Sequence, residues 1–284
     1  MTDAAEQEAE GHPPTWAPAD PSRIFQLESH GPDIWVGESP AYPWGRIYGG
    51  LVIAQSLWAA MQTVVEEHLI HSLHGYFILG GDPAEPVRYE VDRIRNGRSF
   101  TTRRVVARQS GGAIFNLSCS FQRIEEGVET QTARFPDVAP PTDESPRSRE
   151  GSGVERVDAA RPAQPPRSLA WLRFPAGLDD DPRVHACALA YLSDSVPMDA
   201  VVASHPRGRP LEEDWHQTYM LSSLDHAMWF HRPARADDWL LLDMDGHGII
   251  RTRGLSTGQV FDPDGHHVAT VAQEGLIREL KARP

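Results

Sequence analysis

The chain has 284 residues, of which 40% are apolar and 24% charged, a composition typical of a folded protein with one large domain or two modest ones. A formal net charge of −13 argues against general binding to nucleic acid or to an anionic membrane, because both need a basic surface. Two cysteines are too few for a disulfide framework, so we expect a packed core, buried thiols and a reducing compartment.

The N-terminal segment is acidic and polar and has neither the basic region nor the apolar region of a secretory signal. We expect residues 1–22 to form a disordered tail. About 18 consecutive apolar residues, as a membrane span requires, occur nowhere. These features together predict a cytoplasmic protein without a membrane span.

The next hundred residues predict a first domain at 23–124. Strand-like sequence at 24–39 precedes Gly49-Gly50, which open an apolar helix from Leu51 to about Val65. Alternating segments then predict strands at 72–78, 87–94, 100–109 and 113–123. The arginines of this half are interpreted as the solvated face of strands, with a phosphate site as the alternative: Arg88, Arg93, Arg95, Arg98, Arg103, Arg104 and Arg108.

Residues 125–167 are rich in Pro, Ser, Gly and acid and predict a linker to a second domain at 168–284. That domain repeats the order of the first: strand 168–174, helix 184–192, then strands 223–231, 239–244, 249–261 and 267–278. Three residue pairs separated by 151 positions also suggest a repeat: Ser72 and Ser223, Gly97 and Gly248, Gln122 and Gln273. Both helices are apolar on most sides, as expected of helices surrounded by an antiparallel sheet in an α+β fold.

Three blocks of the second half carry the strongest signal. They are Tyr191-Leu192-Ser193-Asp194, Ser223-Leu224-Asp225-His226 with Trp229-Phe230-His231-Arg232-Pro233, and Ala272-Gln273-Glu274-Gly275. Together they resemble the TesB-like, type II acyl-CoA thioesterases, and several first-half blocks, such as Arg46-Ile47-Tyr48-Gly49-Gly50, do so as well. The resemblance implies a double hotdog, in which two antiparallel sheets each wrap around a central helix.

The same resemblance implies an enzyme of fatty acid metabolism that hydrolyses fatty acyl-CoA without a cofactor. Asp194, Ser223 and Gln273 match the family's residues that hold the hydrolytic water, with serine here in place of the usual threonine. Chemistry favours the same set, because an oriented water needs a base and fixed donors and acceptors. Backbone amides at Gly49 and Gly50 suit the oxyanion or the substrate, since glycine lets a ligand approach a helix N-terminus.

Competing interpretations remain for several residues. Asp225 and His226 are candidates for a general base formed by a carboxylate beside an imidazole. Adjacent strand residues face opposite sides of the sheet, however, so a structural role is favoured. No metal is predicted, because His231, His247, His266 and His267 lack ligand-like spacing. Gly254-Leu255-Ser256-Thr257-Gly258 matches the nucleophile elbow of α/β-hydrolases, yet its strand-like context argues against one. An acyl-CoA binding protein without activity and an enoyl-CoA hydratase stay as alternatives, and homo-oligomers stay open.

Overall fold

A computed structural model describes residues 24–42, 44–149, 153–159, 166–175, 177–208 and 218–280. The predicted tail at 1–22 therefore lies outside the described residues. The helices are α1 (Gly49–Met61), α2 (Pro182–Leu192) and α3 (Pro197–Ala203). The strands are β1 (Glu28–Ser29), β2 (Ile34–Gly37), β3 (His68–Phe77), β4 (Val87–Asn96), β5 (Phe100–Gln109), β6 (Gly112–Arg123), β7 (Ser148–Arg149), β8 (Glu155–Asp158), β9 (Arg167–Arg173), β10 (Tyr219–Ser223), β11 (Asp225–Phe230), β12 (Leu240–Ile250), β13 (Arg253–Phe261) and β14 (His267–Glu279).

Within the described residues, all the strands belong to one antiparallel sheet. Its order is β1-β2-β4-β5-β6-β3-β11-β14-β13-β12-β9-β8-β7, with β10 also paired to β14. The strands of the two halves are joined into this one sheet, because β3 of the first half pairs with β11 of the second, from Ser72 opposite Trp229 to Tyr76 opposite Asp225. This pairing satisfies backbone groups that two open sheet edges would leave to solvent.

The two halves of the sheet repeat one strand order, and the repeat has a spacing of its own. Strands β4 and β12 begin 153 positions apart (240 minus 87), and so do β5 and β13 (253 minus 100). The irregularity between Ile70 and Ser72 in β3 matches the break at Leu224 between β10 and β11, again 153 positions on. The predicted spacing of 151 is therefore wrong by two residues, and its three residue pairs are coincidences.

Helices α1 and α2 pack side by side inside the sheet and run in opposite directions. The start of α1 meets the end of α2, where Gly50 leaves room for the carbonyl of Tyr191. At the other end, Cys187 Sγ lies 3.7 Å from Met61 Sδ. Both cysteines are buried, as predicted, and burial raises the pKa of the Cys119 thiol to about 12.

Helix α3 packs on strands of the second half through glycines. Gly254 of β13 leaves the space that the side chain of Val201 occupies, and Gly246 of β12 lies against Ala200. The segment Gly254–Gly258 is thus interior strand, and Ser256 within it is fully buried. The expectation that this motif is not a nucleophile elbow is confirmed, because its glycines serve close packing.

The run Pro182–Ala203 is long and apolar enough to cross a membrane by length and composition alone. In the fold it is divided between α2 and α3, and most of it is buried within the protein. This run is apolar because it forms part of the protein core.

The segment predicted as a linker, residues 125–167, does more than connect the halves. Its described part contains β7 and β8, which extend the sheet from β9. The ring of Phe135 packs against Trp171 and Phe261 of the second half. These contacts join much of the segment to the second half.

Candidate functional site

Ser223 and Gln273 meet at the junction of β10, β11 and β14. The amide Nε2 of Gln273 donates a hydrogen bond of 2.8 Å to Ser223 Oγ. Gln273 is fully buried, whereas Ser223 is partly exposed. Because Ser223 is opposite Gly275, the contact with Gln273 is a diagonal one between neighbouring strands.

Asp194 lies just beyond α2, against the first turn of α1. Its side chain is 8% exposed. A methyl group added at Gly49 would stand 2.6 Å from Asp194 Oδ2 and 2.9 Å from the ring of Phe77, so a side chain at position 49 would displace the carboxylate or the ring. Glycine at this position is therefore a requirement of the carboxylate's placement.

Tyr48 fastens the start of α1 to the segment that carries Asp194. Its hydroxyl donates to the carbonyl of Tyr191 at 3.1 Å and lies 2.9 Å from Ser195 Oγ. Helix α1 begins without a side-chain cap. Its first amide groups and the helix dipole thus favour a negatively charged group at this end, either the carboxylate or an oxyanion.

Phe77 connects this helix end to the strand junction. Its ring lies against Gly49, and its backbone N–H donates to the carbonyl of Leu224 at 3.0 Å. Leu224 directly follows Ser223 in the chain. The structure thus brings Asp194, Ser223, Gln273, Gly49 and Gly50 to one end of the helix pair.

His226 also belongs to this region, and for it the sequence favoured a structural role over a general-base pair with Asp225. Its Nδ1 lies 2.5 Å from Gln273 Oε1, and its Nε2 lies 2.9 Å from Ser193 Oγ, next to Asp194. The ring is 1% exposed, and burial lowers its pKa from 6.5 to about 4. A neutral imidazole with both nitrogens engaged is a poor general base at neutral pH.

Its neighbour Asp225 faces the other way, as predicted, and accepts a hydrogen bond of 2.7 Å from the backbone N–H of Glu274. The two residues therefore do not act together as a general base. The sequence signal for His226 was its place in the Ser223-Leu224-Asp225-His226 block, but only the fold revealed its contact with Gln273.

A buried arginine from β8 holds the segment around Asp194. Arg156 donates to Asp199 in α3, to Asp158 at 2.7 Å and to the carbonyl of Ser195 at 3.3 Å. The side chains of Arg156 and Asp199 are both about nine-tenths buried. This arginine lies within the predicted linker, where the sequence indicated no such role.

The opposite end of the helix pair has a groove without the same side chains. A cavity of about 460 Å³ opens there between the end of α1 and the start of α2, and Ile70 and Leu189 line it. With the repeat spacing of 153, Ser223 corresponds to Ile70 and His226 to Leu73. Gln273 lies opposite Ser256, the equivalent of Arg103, and Arg103 lies opposite Cys119, so by strand pairing Gln273 corresponds to Cys119, one residue off that spacing. All three counterparts are buried and unsuited to orienting a water.

The first-half arginines mostly pair with acids at the surface, which agrees with their interpretation as solvated strand residues. Arg93 pairs with Asp33 at 2.8 Å, and Arg108 pairs with Glu90 at 3.0 Å. Arg103 is an exception, since it is buried and donates to the Thr63 hydroxyl at 2.6 Å at the end of α1.

One expectation about metals is corrected. His266 does have ligand-like spacing, because its ring lies together with the carboxylates of Asp262 and Asp264 in the turn before β14. The Asp262 carboxylate already accepts from the backbone of Asp264 and of His266, at 3.1 and 2.8 Å. These hydrogen bonds stabilise the turn, and they explain why the three side chains lie together.

Comparisons with known proteins agree along almost the whole chain. A family model described as acyl-CoA thioesterase N-terminal domain matches residues 39–122, and one described as acyl-CoA thioesterase C-terminal domain matches residues 128–277. Human acyl-coenzyme A thioesterase 8 is 32% identical over 287 residues, covering 90% of this chain and 88% of the relative. Acyl-CoA thioesterase 2 of Haemophilus influenzae is 33% identical over 280 residues, covering 90% and 96%.

Solved structures give the same result. Acyl-CoA thioesterase II TesB2 from Mycobacterium marinum is 37% identical, with a TM-score of 0.80 over 92% of this chain and 99% of that one. A hot dog fold protein from Alicyclobacillus acidocaldarius has a TM-score of 0.75 at 20% identity, over 93% and 100%, a likeness of fold alone. The chain therefore belongs to the TesB-like, type II acyl-CoA thioesterases, a family of thioester hydrolases with the hotdog fold.

Proposed function

We propose that the protein hydrolyses fatty acyl-CoA to a free fatty acid and coenzyme A, through a water molecule activated by Asp194, Ser223 and Gln273. The observation that carries this proposal is the 2.8 Å hydrogen bond between Gln273 and Ser223, at the helix end where the Asp194 carboxylate lies. The names of the relatives, all acyl-CoA thioesterases, support the substrate class.

In the proposed reaction, the water oxygen attacks the thioester carbonyl carbon while the Asp194 carboxylate takes a proton from the water. The carbonyl oxygen becomes an oxyanion, and its collapse breaks the carbon–sulfur bond. The coenzyme A sulfur leaves with the proton, and a carboxylic acid remains. Ser223 and Gln273 would hold the water in line for attack, and such positioning lowers the barrier by several kcal/mol.

We assign stabilisation of the oxyanion to the backbone amides of Gly49 and Gly50. Both residues stand in the first turn of α1, where amide groups have no partner within the helix. The space beside each glycine is taken by Asp194 and Phe77 at Gly49 and by the Tyr191 carbonyl at Gly50, so the assignment rests on the amide groups alone. A donor of this kind typically lowers the activation free energy by about 3 to 4 kcal/mol.

The proposed architecture is a double hotdog, with one hotdog at 23–124 and a second at 168–284 that carries the catalytic residues. The repeated strand order and the burial of both helices support it. The apolar counterparts Ile70, Leu73 and Cys119 support a single catalytic end, since the other end of the helix pair lacks a hydroxyl and an amide in these positions.

Release of free thiol tests this function. Purified enzyme is mixed with a panel of medium-chain and long-chain acyl-CoAs, and a thiol reagent reports coenzyme A. Hydrolysis yields one thiol per substrate consumed. With an enoyl-CoA, loss of the enoyl absorbance without thiol would identify a hydratase, and binding with neither signal would identify a protein without activity. Either of the last two results overturns the proposal.

A further inference from the structure

Four side chains form a continuous hydrogen-bonded series beside Asp194. Ser193 Oγ contacts His226 Nε2 at 2.9 Å, and His226 Nδ1 contacts Gln273 Oε1 at 2.5 Å. Gln273 Nε2 then donates to Ser223 Oγ at 2.8 Å. Ser193, His226 and Gln273 are each at most 1% exposed, so water competes little for these bonds.

With the Gln273 amide oxygen toward His226, the chemical types of these atoms set the direction of the series. The amide oxygen of Gln273 only accepts hydrogen bonds, so His226 Nδ1 must carry the proton. A neutral ring then leaves Nε2 as an acceptor for the hydroxyl of Ser193, whose single proton is shared with the carbonyl of Ala190 at 2.8 Å. Every donor points the same way, from Ser193 to Ser223, and the Ser223 hydroxyl proton stays available to a reacting oxygen.

We infer that His226 is a positioning residue that holds the Gln273 amide with its NH₂ group toward Ser223 and the reacting water. This inference rests on the proposed function and names a residue outside the Asp194, Ser223 and Gln273 set. His226 itself touches no substrate atom in this role. It acts by excluding the reversed amide, in which the carbonyl would face Ser223 and the hydroxyl proton would be used up.

Histidine suits this position for a physical reason. The site needs a buried uncharged group with a donor on one side and an acceptor on the other, and a neutral imidazole supplies both on a rigid ring. The counterpart in the first half is Leu73, beside Cys119 and not beside an amide. An imidazole therefore stands at this position at the end of the helix pair that carries Asp194, and a leucine stands at the equivalent position of the other end.

Matched substitutions separate positioning from mere packing. His226→Leu removes both hydrogen bonds, and we expect kcat to fall about 30-fold while KM changes less than about threefold, since misplacement of a catalytic group costs rate. His226→Asn keeps a donor near the place of Nδ1, and we expect it to recover most of the lost kcat. His185→Leu, a buried histidine outside this region, is the control for loss of stability alone.

A double-mutant cycle links the effect to Gln273. If His226 acts through this amide, adding His226→Leu to Gln273→Ala lowers kcat no further. Independent losses that multiply would overturn the inference. Failure of the proposed function looks different, because in that case Gln273→Ala alone would keep full activity.

Nitrogen NMR of the imidazole supplies a readout independent of rate. We expect a single neutral tautomer with the proton on Nδ1, unchanged between pH 8 and pH 5. A ring protonated on Nε2 would overturn the stated direction. So would His226→Leu enzyme that keeps wild-type kcat while Gln273→Ala has lost it.

Discussion

Gln273 donates to the hydroxyl of Ser223 at 2.8 Å, although 50 positions separate the two residues in the chain. The contact exists because β10 and β11 both pair with β14, so the junction between them faces the middle of that strand. The hydroxyl and the amide therefore act as one unit, which leads to the first prediction.

Ser223→Ala should lower kcat at least about tenfold, because it leaves the buried Gln273 amide without its acceptor and removes the hydroxyl. Ser223→Thr keeps the hydroxyl and restricts its rotation, so we expect kcat equal to or above that of the wild type. The neighbouring Ser222→Ala is the control, since Ser222 Oγ makes only a 3.4 Å contact to a backbone carbonyl. Steady-state kinetics check this, and an unimpaired Ser223→Ala enzyme would contradict it.

Asp194→Asn should lower kcat by about 100-fold or more without loss of folding, as expected when a general base loses its charge. The measurement is thiol release at saturating acyl-CoA, with circular dichroism as the check on folding. Asp225→Asn is the matched control, because an amide oxygen can still accept from the Glu274 backbone. Near wild-type turnover in the Asp194→Asn enzyme would remove this residue from the mechanism.

Gly49→Ala should reduce activity more than stability. Alanine favours a helix by up to about 1 kcal/mol over glycine. At this position, however, its methyl group would lie 2.6 Å from Asp194 Oδ2 and displace it. Gly111→Ala is the control, since nothing lies within 4 Å of the added atom. Kinetics and thermal unfolding of both variants decide the matter, and equal kcat values would show that the carboxylate adapts.

Arg156→Met should destabilise the fold by about 3 to 5 kcal/mol, because it leaves the buried Asp199 carboxylate without its arginine. Chemical denaturation measures this change. For comparison, Arg93→Ala breaks a half-exposed pair with Asp33 and should cost less than about 1 kcal/mol. Similar losses of unfolding free energy for the two variants would mean that the ion pair between Arg156 and Asp199 contributes little to stability.

Acid should destabilise the protein partly through His226. Burial holds its folded-state pKa at about 4, below its ordinary 6.5, so the unfolded chain binds the proton more readily. Stability is then full above pH 6.5 and is lost as pH falls toward 4, by about 2.5 kcal/mol at pH 4.5. Denaturation at pH 7.5 and pH 4.5 tests this, and His226→Asn should lose less stability than the wild type. Parallel losses would argue against the shifted pKa.

The sequence by itself determined much of this protein. Alternating apolar residues indicated β4, β5 and β6 within a few residues, because strand side chains alternate between faces. The apolar character of α1 on most sides predicted its burial. Resemblance in ordered blocks identified the family and chose Asp194, Ser223 and Gln273. Cytoplasmic location and self-assembly stay predictions.

Only the tertiary structure decided how the halves join and which groups surround the candidate residues. Strand periodicity is blind to shifts of two residues, so a spacing of 151 looked as good as 153 until the pairing was known. The contacts of His226 with Gln273 and of Arg156 with Asp199 each cross more than 40 positions of sequence. Local sequence patterns do not predict such contacts, because the contacts form only when strands and helices that are distant in sequence pack together.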